Sequence, residues 1–147
     1  MSISPASSLA QTLGIKPSDD VRLVAAPDGF AEALSPLPEN ASVIQGATDG
    51  RRFPIQVVFA KQRSDLTQRL GDALLALPSD GMVWIAWPRA SAGVSTDLTQ
   101  DQVREVGLMA GLVDVKECAI DDDWLALKFV VRVQDRPQWP HRANVTT

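Results

Sequence analysis

The residues of this 147-residue chain best placed to do chemistry gather in residues 81–98, Gly-Met-Val-Trp-Ile-Ala-Trp-Pro-Arg-Ala-Ser-Ala-Gly-Val-Ser-Thr-Asp-Leu. A nearly all-apolar run over 82–87 stops at Pro88 and Arg89, and a small, polar loop then delivers the chain into a helix start. In open α/β sheets, ligands bind in the crevice outside the carboxyl ends of such strands. Trp87, at that end beside Arg89, could stack on a planar ligand while the guanidinium grips a carboxylate or phosphate. The plainer alternative, which the pattern favours, packs Trp87 beneath the 91–95 loop and leaves Arg89 solvated or salt-bridged. Alternation along the strand turns Trp84 to the opposite face, where it reads as core. Ser95 and Thr96 offer hydroxyls near a helix N-terminus, where backbone amides can hold an anion. Asp97 would repel that anion, and helix capping already explains Thr99.

A second candidate is Ala25-Ala-Pro-Asp-Gly-Phe30, which supplies Asp28 and Gly29 as ligand contacts. A dinucleotide site needs G-x-G-x-x-G here, because glycines let the backbone approach a pyrophosphate at a helix N-terminus. This loop has one glycine, and Pro27 removes an amide donor. Adenosylmethionine sites likewise favour a glycine-rich turn, with an acidic residue ending the second strand. That strand instead ends at Gln45-Gly46, with Asp49 only further along. No cofactor is therefore expected. Gly29 reads as a turn glycine and Asp28 as a turn carboxylate bonding its own backbone.

Nucleophiles and metal ligands are scarce. Cys118, on a strand before Ala119 and Ile120, reads as a small buried hydrophobe, and the one histidine, His141, lies in a Pro-containing tail. One cysteine and one histidine cannot assemble a zinc site, and no serine stands in a G-x-S-x-G elbow. Asp121-Asp122-Asp123 reads as a hairpin turn. Magnesium or calcium needs oxygens converging from several directions, and adjacent carboxylates point apart. No metal site is expected.

The elements that must position these residues alternate. A short helix capped by Ser7 or Ser8 runs through Leu9 and Leu13 to Gly14, and a strand over 21–26 follows. One or two helical turns cover 30–34 before Pro36 and Pro38 intervene. A short strand spans 41–45, a polar loop 46–54, and a strand apolar enough to be buried on both faces 55–60. Ser64 is the expected cap of a helix whose Leu66, Leu70, Leu74 and Leu77 recur every three or four positions. The strand at 82–87 leads to a helix opened by a Thr99–Gln102 capping box, with Val103, Val106 and Ala110 on one stripe and a stop at Gly111. Strands over 113–120 and 124–133 then form an antiparallel hairpin. Strands alternating with helices predict an α/β fold with a mainly parallel sheet of five to six strands, helices on both faces and a C-terminal antiparallel hairpin. This is a single Rossmann-like domain over 9–133, between a loose leader at 1–8 and a loose tail at 134–147. It is a reduced form of the methyltransferase-type fold, one strand–helix unit short.

Hydrophobic residues make up 45% of the chain and charged residues 22%, which argues against general disorder. With a net charge of −4 and 14 scattered basic residues, the chain lacks the clustered basic face that nucleic acid requires. No run approaches the ~18 apolar residues of a membrane span, and the first residues lack a signal-peptide pattern. A single cysteine fits a reducing compartment, so the expected location is the cytoplasm.

Several pieces resemble a family of small bacterial proteins known as domain of unknown function 3052: Leu13-Gly-Ile-Lys-Pro17, Ala26-Pro-Asp-Gly-Phe30, Trp84-Ile-Ala-Trp-Pro88, Thr96-Asp-Leu-Thr99, Val103-Arg-Glu-Val106, Gly111-Leu-Val-Asp114 and Asp121-Asp-Asp-Trp124. The likeness runs over residues 13–133 and departs at Leu125-Ala126. It implies a shared fold and role, and supplies no reaction and no catalytic residues. The broken glycine loop beside a complete core favours a non-enzymatic binding or regulatory module. Its partner would be another protein, a second copy, or a small anionic effector at an Asp28, Trp87, Arg89 crevice. The alternative is a transferase-like enzyme for an anionic planar substrate, using Trp87, Arg89 and the loop that follows. A third role, as a docking element, falls to the apolar edge or to the tail with Trp139.

Overall fold

In the computed structural model, which describes residues 9–45 and 50–138, six strands form one sheet in the order β2-β1-β3-β4-β6-β5. β1 (Asp20–Val24), β2 (Ser42–Gln45), β3 (Ile55–Phe59) and β4 (Met82–Pro88) run parallel. β6 (Trp124–Val131) is antiparallel to both of its neighbours, β4 and the edge strand β5 (Leu112–Ala119). The sheet is thus mainly parallel and closed by the expected hairpin. The chain moves outward from β1 to β2, then returns to the other side of β1 to lay down β3 and β4. That reversal makes the β1–β3 boundary the topological switch point.

One face of the sheet is covered by α3 (Arg63–Leu75) and α4 (Gln100–Met109). The apolar stripes of both helices meet one side of the strands: Leu66, Leu70, Val103 and Val106 pack with Val58, Ile85, Leu127 and Phe129. α4 sits so close that a Cβ on Gly107 would lie 2.1 Å from Phe129 Cε2. Among the described residues, the other face carries α1 (Leu9–Leu13) and α2 (Phe30–Ala33), whose Leu13 and Phe30 pack on Leu23, Val57, Phe59 and Trp84. Trp84 is core, as its alternation requires, and its Nε1 donates to the Leu13 carbonyl at 3.0 Å, tying α1 to β4. A buried polar pair interrupts the sheet, in which Arg22 donates to Gln56 at 2.9 Å and to Asp72 at 2.6 Å.

Local expectations differ from the structure at a few points. Ser64 does not cap α3: the helix begins at Arg63, whose backbone N–H donates to Asp97 Oδ1 at 2.7 Å. The cap thus comes from the loop after β4, across 34 residues. Thr99 does cap α4, accepting from Gln102 N at 3.2 Å. The reciprocal half of that capping box is missing, because the Gln102 side chain accepts from Arg63 instead. Phe53, in the expected polar loop, is fully buried and donates its N–H to Ala76 at 2.8 Å. β6 stops at Val131, and Val133–Gln138 form a 3-10 turn where a loose tail was expected. The leader at 1–8, residues 46–49 with Asp49, and residues 139–147 with His141 and Trp139 lie outside the described residues.

Candidate functional site

β1 ends at Val24, and Ala25 takes φ +59, the left-handed region that costs a residue with a Cβ about 1–2 kcal/mol. Pro27 and Asp28 follow, and Gly29 at φ +87 enters α2 in a conformation glycine adopts freely. This turn lines a cleft of about 290 Å³ together with Leu9, Phe30, Asp121, Asp123 and Trp124. The hairpin turn on the opposite wall is locked internally. Asp121 Oδ1 accepts from the Asp123 and Trp124 amides at 2.8 and 2.9 Å.

A second cleft, of about 240 Å³, opens where β1 and β3 end, at the switch point itself. Ala25, Phe59, Ala60, Lys61, Asp65, Arg69 and Trp124 line it. Asp65 and Arg69, four residues apart, share one side of α3, and Lys61 stands just before the helix begins. Arg69 is anchored by donating from Nη1 to the Phe59 carbonyl at 2.7 Å. Trp124 borders both clefts and stands edge-on against Phe59, with centroids 5.1 Å apart and planes at 81°. Phe59 in turn meets Phe30 at 4.8 Å. Trp124 thus shares one cleft with the carboxylates of Asp28, Asp121 and Asp123 and the other with Lys61, Arg69 and Asp65.

The structure does not bring Trp87 and Arg89 together with Asp28 and Gly29 in one cleft. Trp87 is 2% exposed and belongs to the α3–α4 core, so its ring has no face for a ligand. Arg89 turns to the hairpin: its N–H donates to Asp123 O at 2.9 Å and its Nη2 to Asp121 O at 3.3 Å. Its role is to position the turn that carries Trp124. Asp28 and Gly29 do line a cleft, without Trp87 or Arg89. An anion there would meet three carboxylates. Thr96 Oγ1 is occupied, donating to Lys61 O and accepting from Leu98 N at 3.0 Å, while the exposed Ser95 accepts at its carbonyl from Gln62 at 3.4 Å. Ser95 and Thr96 therefore strap the loop after β4 onto the start of α3. Lys61, Asp65, Arg69 and Trp124 went unnoticed, since only the strand order reveals which strand ends flank the switch point.

Cys118 is half-buried, and burial pushes its thiol above the usual range, with nearby Glu117 adding to the rise and Lys116 opposing it. Among the described residues no cluster of histidine, cysteine or carboxylate side chains is arranged to hold a metal ion. Nor is any of their helices long and apolar enough to cross a membrane.

Strand order, the reversed β6 and the helices on both faces define a methyltransferase-like Rossmann fold. Ribosomal protein L11 methylase from Lactobacillus delbrueckii subsp. bulgaricus shares it with a TM-score of 0.60 at 11% identity, over 84% of this chain and 74% of that one. A TehB-like SAM-dependent methyltransferase from Corynebacterium glutamicum gives 0.56 at 12% identity, over 89% of both chains. An S-adenosylmethionine-dependent methyltransferase from Clostridium acetobutylicum gives 0.57 at 8% identity, over 82% and 85%. At such identities the likeness is one of fold alone. No curated protein matches the sequence. The chain belongs to the family described as "Protein of unknown function (DUF3052)", whose model matches residues 51–133.

Proposed function

We propose that this chain is a small-molecule-binding module that acts by binding, and that its ligand is a compact zwitterion carrying a planar ring. The observation that carries this reading is Trp124, which borders both clefts, one lined by the carboxylates of Asp28, Asp121 and Asp123 and the other by Lys61 and Arg69 with Asp65 as the one carboxylate among them. A planar group stacks on the indole, an ammonium group suits Asp28 and Asp123, and a carboxylate suits the cationic flank. The loop after β1 argues against a pyrophosphate ligand. Pro27 has no amide donor, and α2, at four residues, has almost no helix dipole to offer. Binding without turnover fits a lining that, among the described residues, contains no cysteine, histidine, serine or threonine.

S-adenosylhomocysteine combines a planar ring, an ammonium and a carboxylate, and is the first probe. Calorimetric titration of the whole chain is expected to give saturable binding that Trp124→Ala weakens at least tenfold. Absence of binding to this probe and to other ring-bearing zwitterions, such as tryptophan and adenosyl amino acids, would refute the reading. A second reading, methyl transfer, draws on fold neighbours whose names describe them as dependent on S-adenosylmethionine. Conversion of S-adenosylmethionine to S-adenosylhomocysteine, in the presence of an acceptor and lost on Trp124→Ala, would favour that reading over binding alone.

A further inference from the structure

Opposite charges share the switch-point cleft without closing on one another. Asp65 and Arg69 stand four residues apart on α3, a spacing at which a carboxylate and a guanidinium form an ion pair along a helix. α4 shows such a closure at spacing three, where Arg104 donates to Asp101 at 3.3 Å. Elsewhere on α3, Asp72 pairs with Arg22 at 2.6 Å. Arg69 instead donates from Nη1 to the Phe59 carbonyl at the end of β3, at 2.7 Å. Among the described residues, Lys61, Asp65 and Arg69 take part in no ion pair.

The Phe59 anchor fixes the guanidinium and leaves most of its five N–H donors uncommitted. A pair spaced to close but held open leaves both charges available to a third group. Two cations and one carboxylate give this cleft a net charge of +1. A ligand carboxylate matches that charge and suits the planar fork of Arg69. A phosphate monoester carries about −1.5 to −2 at neutral pH, on three acceptor oxygens. Its surplus charge falls beside Asp65, which accepts hydrogen bonds but has no proton to share. Repulsion of this kind is stronger in a cleft than in open water.

Resting on the reading of this cleft as the seat of the ligand's carboxylate, we infer that Asp65 is its specificity-determining residue: flanked by Lys61 and Arg69, it admits a carboxylate and turns away a phosphate monoester. The ligands so selected are ring-bearing amino acids and their adenosyl derivatives, and nucleotides with the same ring are refused. The alternative is a role confined to the helix, because an acidic residue in the first turn favours the dipole. That role would appear in stability and leave the choice of ligand unaltered.

S-adenosylhomocysteine and adenosine 5′-monophosphate share an adenosine and differ in the charged end, so the ratio of their affinities reads the preference. Calorimetric titrations would compare the full chain with Asp65→Asn, which keeps the shape and removes the charge, and with Asp65→Glu, which keeps the charge. The unmodified chain and Asp65→Glu are expected to prefer S-adenosylhomocysteine. In Asp65→Asn that preference should narrow by at least about tenfold, through a gain in affinity for the monophosphate. Adenosine, which has no anion, should bind all three proteins alike. An unchanged ratio in Asp65→Asn, with or without a lowered melting temperature, would overturn the inference and leave the binding reading standing. So would a monophosphate bound by the unmodified chain as tightly as S-adenosylhomocysteine. Binding of neither probe by any of the three proteins would overturn it too, and the reading beneath it falls if tryptophan also fails to bind.

Discussion

The two faces of the sheet are covered by unlike material. On one, helices of 13 and 10 residues lay full apolar stripes across the strands, and Gly107 lets α4 settle directly onto Phe129. On the other, helices of five and four residues cover less of the sheet. Pieces that short have no stability of their own. They are held by Phe30 against Phe59 and by the Trp84 bond to Leu13. The long helices press full apolar stripes onto their face and leave a groove only between themselves, whereas on the other face the turn into α2 lines a cleft with the half-buried Trp124. The cleft at the turn after β1 lies on the thinly covered side, while the second opens at the strand ends beside α3.

Substitutions can break this contrast. Phe129→Ala is expected to cost about 3–5 kcal/mol, the usual range for a buried phenylalanine, or about 9–20 °C in thermal melting at about 3–4 °C per kcal/mol for a chain of this size. Phe30→Ala, whose cavity opens into the cleft and admits water, should cost clearly less. Equal losses would contradict the division of labour. Gly107→Ala should cost about 1–3 kcal/mol by overpacking, and the cost should shrink on a Phe129→Leu background, as a double-mutant cycle by denaturant titration would register. Trp124→Ala should do the opposite of both, changing stability by no more than ~1 kcal/mol while removing at least tenfold, or about 1.4 kcal/mol, of ligand affinity.

Smaller effects sharpen the picture. Asp97→Ala should cost about 1 kcal/mol, the ordinary value of a helix cap, while Ser64→Ala should leave the melting temperature unchanged. Ala25→Gly should stabilise by about 0.5–1 kcal/mol by relieving the positive φ. Cys118 tests burial at the hairpin. Its raised folded-state value makes a contribution to stability that is fully present below the unfolded thiol pKa and is lost as pH rises through the folded value. Alkylation by iodoacetamide should accordingly accelerate only at a pH above that at which free cysteine does.

What the sequence made legible follows the range of the interactions. The alternation of strands and helices, the hairpin turn at Asp121-Asp122-Asp123, the Thr99 cap and the stops at Gly14 and Gly111 are encoded within a few residues, and each is present. The cap on α3 was not legible, because Asp97 reaches Arg63 only after β4 has paired with β3. Nor was the site. A tryptophan ending an apolar strand suggests a crevice, but Trp87 faces the long helices, and only the order β2-β1-β3-β4 reveals that the switch point lies beside Ala25 and Lys61. Lys61, Asp65, Arg69 and Trp124 come from segments more than 50 residues apart, and no local pattern joins them.

The most direct test of the central claim is an amide and indole NMR titration of the full chain with S-adenosylhomocysteine. The account predicts shifts centred on Ala25, Lys61 and the Trp124 indole, with the Trp87 indole and the Arg89 amide changing little. Shifts centred on Trp87 and the 91–95 loop, or none at saturating probe, would contradict it.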